Sequence, residues 1–119
     1  CSNKNIQEVR CLTNSHVISI VNTYIPIEEN TPDRSMTLRS LVGILKRLLK
    51  APYAELVVMG DFNMKPTVMS KWLRDNGLNL SICPIGSDAY TFQRRSSKSV
   101  IDYILYHSMS ALHYKWSRP

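Results

Sequence analysis

Two polar residues in the middle of the chain, at the end of an apolar run, have the types and spacing to do chemistry. They lie in Glu55-Leu56-Val57-Val58-Met59-Gly60-Asp61-Phe62-Asn63-Met64-Lys65-Pro66. Leu56 to Met59 is an uncharged apolar run of the kind that fits a strand buried on both faces. Gly60 ends it, and Lys65-Pro66 forbids regular continuation. Between these signals sit a carboxylate, Asp61, and a carboxamide, Asn63, two positions apart. Strand periodicity predicts that both leave one side of the chain while Phe62 turns to the other. The carboxyl end of a buried strand is where open α/β sheets place their chemistry. A carboxylate there can take a proton, and an amide can bind an oxyanion. Gly, Asp and Asn also end strands and start turns, so the pair alone does not choose between chemistry and a plain turn.

Other elements must hold such a pair in place. Glu8 to Leu12 and His16 to Ile25, separated by the polar Thr13-Asn14-Ser15, are predicted to form a hairpin. The second of these is rich in β-branched residues and carries Asn22 and Tyr24 at the end of an otherwise apolar face. Thr31-Pro32-Asp33 opens a helix with an apolar stripe of Leu38, Leu41, Val42, Leu45, Leu48 and Leu49. Its basic residues Arg39, Lys46, Arg47 and Lys50 read as a solvated face. A shorter helix is expected from Thr67, as its cap, to Asn76-Gly77, with Met69, Trp72 and Leu73 inward.

Leu78 to Asp88 reads as irregular, Tyr90-Thr91-Phe92 as a short strand, and Gln93 to Lys98 as a basic loop. The last clear strand spans Ser99 to Tyr106, where Asp102 interrupts the face made by Val100, Ile104 and Tyr106. A carboxylate buried there needs a partner, which makes Asp102 either a second site candidate or a satisfied structural residue. Tyr114-Lys115-Trp116 could begin a further strand.

The whole chain sets the frame. Its 119 residues, 44% hydrophobic and 20% charged, suit one globular domain. Fifteen Lys and Arg against nine Asp and Glu give +6, which favours polyanionic partners such as nucleic acid. Three cysteines without a Cys-x-x-Cys pair argue against a disulfide framework or a zinc site and for a reducing compartment. No stretch reads as a membrane span or signal peptide, and a start at Cys1 suggests an internal piece of something longer.

The order Asn22-Thr23-Tyr24-Ile25-Pro26, Gly60-Asp61-Phe62-Asn63, Tyr90-Thr91-Phe92 and Ser99-Val100-Ile101-Asp102-Tyr103-Ile104-Leu105 resembles the endonuclease/exonuclease/phosphatase superfamily. It most resembles the apurinic/apyrimidinic-type endonuclease domain of LINE-type (non-LTR) retrotransposons. The resemblance covers about Val17 to Tyr106. It implies a DNase I-like four-layered α/β sandwich and hydrolysis of phosphodiesters with Mg²⁺ or Mn²⁺. It implies that Asp61 orients and deprotonates the attacking water and Asn63 donates to the phosphate or that water. Tyr24 would contact the phosphate, and Asp102 would orient a catalytic histidine. Asp61 and Asn63 would have a secondary role at a metal. The implied partners are DNA, with Arg94, Arg95 and Lys98 at the rim of the site, and a reverse transcriptase domain in the same polypeptide. The implied location is intracellular and nuclear.

The family also has an Asn and a metal-binding Glu before the Tyr strand and a Ser-Asp-His motif after the Ile-Asp-Tyr strand. Nothing upstream of Val17 matches the first two; Glu8 lies too close to the Tyr strand, and neither His107 nor His113 sits in the third motif. Residues 1–119 are therefore expected to be the central part of one larger domain, with apolar faces and strand edges exposed and no nicking activity alone. The alternatives are a phosphatase of the same superfamily, or a non-catalytic remnant or nucleic-acid-binding module.

Overall fold

A computed structural model describes residues 3–12, 17–27, 31–51, 55–83, 92–94, 97–99 and 101–107, with the backbone alone for 92–94 and 97–99. The elements in chain order are β1 (Ile6–Leu12), β2 (Val17–Tyr24), α1 (Thr31–Leu49), β3 (Glu55–Asp61), α2 (Pro66–Asp75), β4 (Ser81–Ile82), β5 (Phe92–Arg94), β6 (Ser97–Ser99) and β7 (Asp102–His107). Five strands form one mixed sheet in the order β1-β2-β3-β7-β4, and β5 and β6 pair with each other.

The expected hairpin is present: β1 runs antiparallel to β2 from Ile6↔Thr23 to Leu12↔Val17. β2 and β3 then pair in parallel across α1, which is the crossover that parallel neighbours require. Their register ends at Tyr24↔Asp61. β7 closes antiparallel on the other side of β3, ending at Asp61↔Asp102.

Alternation along the strands divides the sheet into two faces. Val21, Leu56, Val58, Tyr103 and Leu105 are buried and cluster with Leu41, Ile44, Leu45 and Leu48 of α1 and Met69 and Leu73 of α2. Their strand neighbours Ile20, Val57, Met59 and Ile104 are only half-buried, and Val9 is exposed. Among the described residues the run Leu56 to Met59 is thus buried on one face and half-buried on the other, because the described helices cover only the first. The stripe of α1 is also rotated from the expected one. Thr37 and Ile44 lie at its centre, while Leu38, Val42 and Leu49 flank it. Thr37 is tolerated there because its Oγ1 accepts a hydrogen bond from Asn5 Nδ2 at 3.0 Å.

Several boundaries differ from expectation for definable reasons. α2 starts at Pro66, with Lys65 at the N-cap position, rather than being capped by Thr67. The fixed φ of proline suits the first helical position, where no N–H is needed. The segment after Leu78 contains β4, paired with β7 at Ser81↔Tyr106 and Ile82↔Leu105. Gln93, Arg94 and Lys98 lie on the β5–β6 ribbon and not in a loop. The expected strand from Ser99 is split: Ser99 ends β6, and β7 begins at Asp102, opposite the last residue of β3. Tyr90, Thr91, Val100 and 114–116 fall outside the described residues. Among the described residues, no helix is long and apolar enough to cross a membrane.

Candidate active site

Tyr24, Asp61 and Asp102 occupy one row across three adjacent strands. Each alternates with a buried residue (Thr23, Phe62 and Tyr103), so all three side chains stand on the face away from the helices. Adjacent strands lie about 4.8 Å apart, which brings the row within the reach of one small ligand. Tyr24 is exposed, Asp61 half-buried and Asp102 exposed. Asp102 therefore does not interrupt a buried apolar side as expected; it sits at the solvent end of the open face, where β3 stops.

The row closes because position 60 is glycine. Gly60 has φ +142°, and a Cβ there would collide with the backbone carbonyl oxygen of Thr23 on β2. Any side chain would push β3 off β2 just before Tyr24↔Asp61. Beyond the row, the chain is clasped from both sides. Ile25 N–H donates to the Asp61 carbonyl at 2.9 Å, and Phe62 N–H donates to the Ile101 carbonyl at 2.8 Å.

Asn63 is placed by a turn and not by strand alternation. Its φ of +47° lies in the left-handed region, which asparagine tolerates better than most residues. Its backbone N–H donates to Asp61 Oδ1 at 3.1 Å. Its Nδ2 donates to the Ile25 carbonyl at 2.6 Å, tying the turn to the end of the Tyr24 strand. Phe62 goes inward as expected and is fully buried. Its ring lies 4.6 Å from that of Tyr103, centroid to centroid. The Tyr103 hydroxyl donates to the Met64 carbonyl at 2.8 Å. The turn carrying Asn63 is thus fixed from β2 on one side and from β7 beneath.

Burial raises the Asp61 carboxyl above its ordinary 3.8; the hydrogen bond from the Asn63 backbone opposes this, and the nearby Asp102 charge adds to it. Burial also pushes the Tyr103 phenol up. Asp61 borders two grooves. One is lined by Lys4, Asn5, Gln7, Asn22, Thr23 and Tyr24. The other, more apolar, is lined by Asn22, Met59, Gly60, Asp102, Tyr103 and Ile104.

Not every expected residue joins the row. Arg94 and Lys98 lie on the β5–β6 ribbon, their side chains outside the described residues, as is all of Arg95. Glu8 is on the helix face, where both its carboxylate oxygens lie 2.7 Å from Arg47 Nη2, so it takes no part in the row. His107 is at the far end of β7, opposite Leu56, with Nδ1 3.1 Å from the Asn79 carbonyl. His113 lies outside the described residues. The sequence reading gave no role to Lys4, Gln7 or Tyr103. Gln7 follows from the hairpin register opposite Asn22, once the turn is known. Among the described residues, no three His, Cys, Asp or Glu side chains cluster as a metal cage. The paired carboxylates Asp61 and Asp102 and the amide of Asn63 are nonetheless hard oxygen donors, and a cation there would offset the charge of the two neighbouring carboxylates.

The fold is similar to several solved structures. Against the endonuclease domain of TRAS1, a telomere-specific non-LTR retrotransposon, the TM-score is 0.61 at 25% identity, over 91% of this chain and 50% of that one. Against truncated Caenorhabditis elegans TDP2 it is 0.62 at 14% identity, over 87% and 46%. Against the human Nocturnin catalytic domain it is 0.52 at 23% identity, over 85% and 39%. The chain spans half or less of the length of each of these structures. The described sheet and helices correspond to part of the DNase I-like α/β sandwich. No curated protein matches the chain by sequence. The profile of the endonuclease/exonuclease/phosphatase family matches residues 2–118, and the chain belongs to that family.

Proposed function

We propose that the polypeptide carrying this chain hydrolyses DNA phosphodiesters as an endonuclease that nicks target DNA for retrotransposition. The observation that carries this reading is the row Tyr24–Asp61–Asp102, built by strand register at the carboxyl ends of the parallel pair. The likeness to a retrotransposon endonuclease domain supports the choice of DNA.

Asp61 accepts the proton of the attacking water, whose oxygen forms the new bond to phosphorus as the P–O bond to the leaving alkoxide breaks and that alkoxide takes a proton from solvent water. Tyr24, 46% exposed, presents its hydroxyl to a phosphate oxygen. Asn63 has one amide hydrogen committed to Ile25, leaving its second hydrogen for the phosphate or water and its oxygen for a cation. Asp102 orients a histidine supplied from outside the described residues. Asp61 and Asn63 contribute oxygens to a divalent cation, Mg²⁺ or Mn²⁺, which when bound would stabilise charge developing on the phosphate. In this reading residues 1–119 belong to one catalytic domain, joined to a reverse transcriptase domain and acting in the nucleus. Arg94, Arg95 and Lys98 meet the DNA backbone at the rim.

The test is conversion of supercoiled plasmid to open circles in Mg²⁺, set beside phosphate release from inositol phosphates. Nicking that depends on Tyr24 and Asp61 is expected. Phosphate release without nicking would move the activity to a phosphatase, and neither reaction would leave a non-catalytic binding module.

A further inference from the structure

The outer face of α1 carries a stripe that neither the core nor the catalytic row explains. Leu41, Ile44, Leu45 and Leu48 pack into the core beneath the helix. On the opposite side Met36, Arg39, Gly43, Lys46 and Lys50 are all exposed, and their alternating spacing of three and four residues keeps them in one line. In a DNase I-like sandwich the helices form the outer layers and the sheets meet each other, so this face points away from the sheet–sheet contact.

The charges on the stripe have no local acid. After Asp33 the chain has no Asp or Glu until Glu55. Arg47, beside the stripe, is held by Glu8, both of whose carboxylate oxygens lie 2.7 Å from its Nη2. Among the described residues nothing pairs with the side chain of Arg39, Lys46 or Lys50. Lys46 and Lys50 complement the carboxyl end of the helix dipole, but that effect fades within one turn and does not reach Arg39. A helix face that meets only water commonly mixes the two signs.

Gly43 is an independent observation. Glycine inside a helix is unfavourable against alanine, yet a Cβ at this position would meet nothing within 4 Å. No packing within the chain calls for it. It opens a notch in the stripe, with Arg39 one turn before and Lys46 one turn after, where a second helix can come close. Met36, 62% exposed, adds an apolar contact toward the amino end. A phosphate backbone would use the cations but neither the notch nor the methionine, whereas a helix bearing carboxylates uses all three. A second copy of this chain is a poor occupant, because its own stripe is cationic and each copy carries +6.

We propose that this face docks an acidic amphipathic helix of a partner protein. That helix lies along α1 at about 20° and crosses closest over Gly43, with its carboxylates on Arg39, Lys46 and Lys50. The stripe runs about 21 Å, roughly four turns. The docking does not depend on the chemistry of the row on the other side of the sheet.

The probe is a fluorescein-labelled, alanine-rich helical peptide of about 18 residues, with glutamates and leucines patterned along one side. A peptide of the same composition in scrambled order and a single-stranded DNA oligonucleotide are the comparisons, each titrated with the full chain. The patterned peptide is expected to bind at least about 5-fold tighter than the scrambled one. Arg39→Gln combined with Lys46→Gln should weaken it about 10-fold, and Lys65→Gln, at the start of α2, should match the wild type. Gly43→Leu should weaken it about 10-fold with every charge in place and a melting midpoint no lower than wild type. Gly43→Ala should raise that midpoint by about 3–6 °C. Equal binding of the patterned and scrambled peptides, or a Gly43→Leu chain that binds like wild type, would overturn the docking face. DNA binding that depends on Arg39 and Lys46, with no binding of the patterned peptide, would overturn it too and make the stripe a nucleic-acid contact.

Discussion

Asp61 and Asp102 are direct cross-strand partners at the last rung shared by β3 and β7, so two carboxylates stand side by side on the open face of the sheet. Like charges placed opposite one another oppose folding. Burial and the neighbouring charge both raise the Asp61 carboxyl above 3.8, the value expected when unfolded.

The folded chain therefore keeps the Asp61 proton at pH values where the unfolded chain has lost it. Stability from this group falls as pH rises from about 3.8 through the folded value, and stays lower above it. Asp61→Asn should melt higher than wild type at pH 7, with the gap closing toward pH 3. Thermal melts across that range check this, and a gap that widens on acidification contradicts it.

Gly60 tests how the row is built. Gly60→Ala places a methyl group against the Thr23 carbonyl at a φ that side chains rarely adopt. The obstacle is backbone, so relief requires parting β2 from β3. The expected cost is about 3–5 kcal/mol, a large share of the stability of a small domain. Loss of the cooperative melt is the readout, whereas an alanine variant that melts like wild type would mean that the parallel register is wrong.

Asn63 combines a left-handed backbone with a side-chain bond to Ile25. Asn63→Ala loses the bond and keeps the strain, at about 2 kcal/mol. Asn63→Gly loses the bond but removes the strain, and should cost about half as much. Denaturant titration of the two variants gives the order, and an alanine variant more stable than the glycine one would reverse it.

Tyr103→Phe removes only the hydroxyl that donates to Met64, leaving the ring against Phe62. The buried carbonyl loses its partner, at about 1–2 kcal/mol. Amide exchange should quicken around 62–65 while β1 stays protected. Uniform loosening of the whole sheet would show that the bond does not act locally on the turn.

These variants also show what could be read in the sequence. Strand and helix periodicity located the hairpin, the long helix and the strand ending at Asp61, because each is set by its own residues. Tyr24, Asp61 and Asp102 could be singled out by motif. Their alignment in one row could not, since it depends on the register of three strands far apart in sequence. Of the two faces expected to be buried at Leu56 to Met59, the described residues bury one and half-bury the other, because an apolar run does not say which partner covers each face. Asn63 was expected to follow strand alternation, but the strand ends at Asp61 and a left-handed residue sets its direction. Lys4 and Gln7 carried no motif and became visible only through the groove they share with Asp61.

The most direct test of the catalytic row is the rate of plasmid nicking in Mg²⁺ by the polypeptide that carries this chain, compared with its Asp61→Ala variant. With Asp61 as the base, the variant should lose about 10²- to 10⁴-fold in rate while remaining folded. Nicking that survives Asp61→Ala undiminished would contradict the assignment of the row as a phosphodiesterase site.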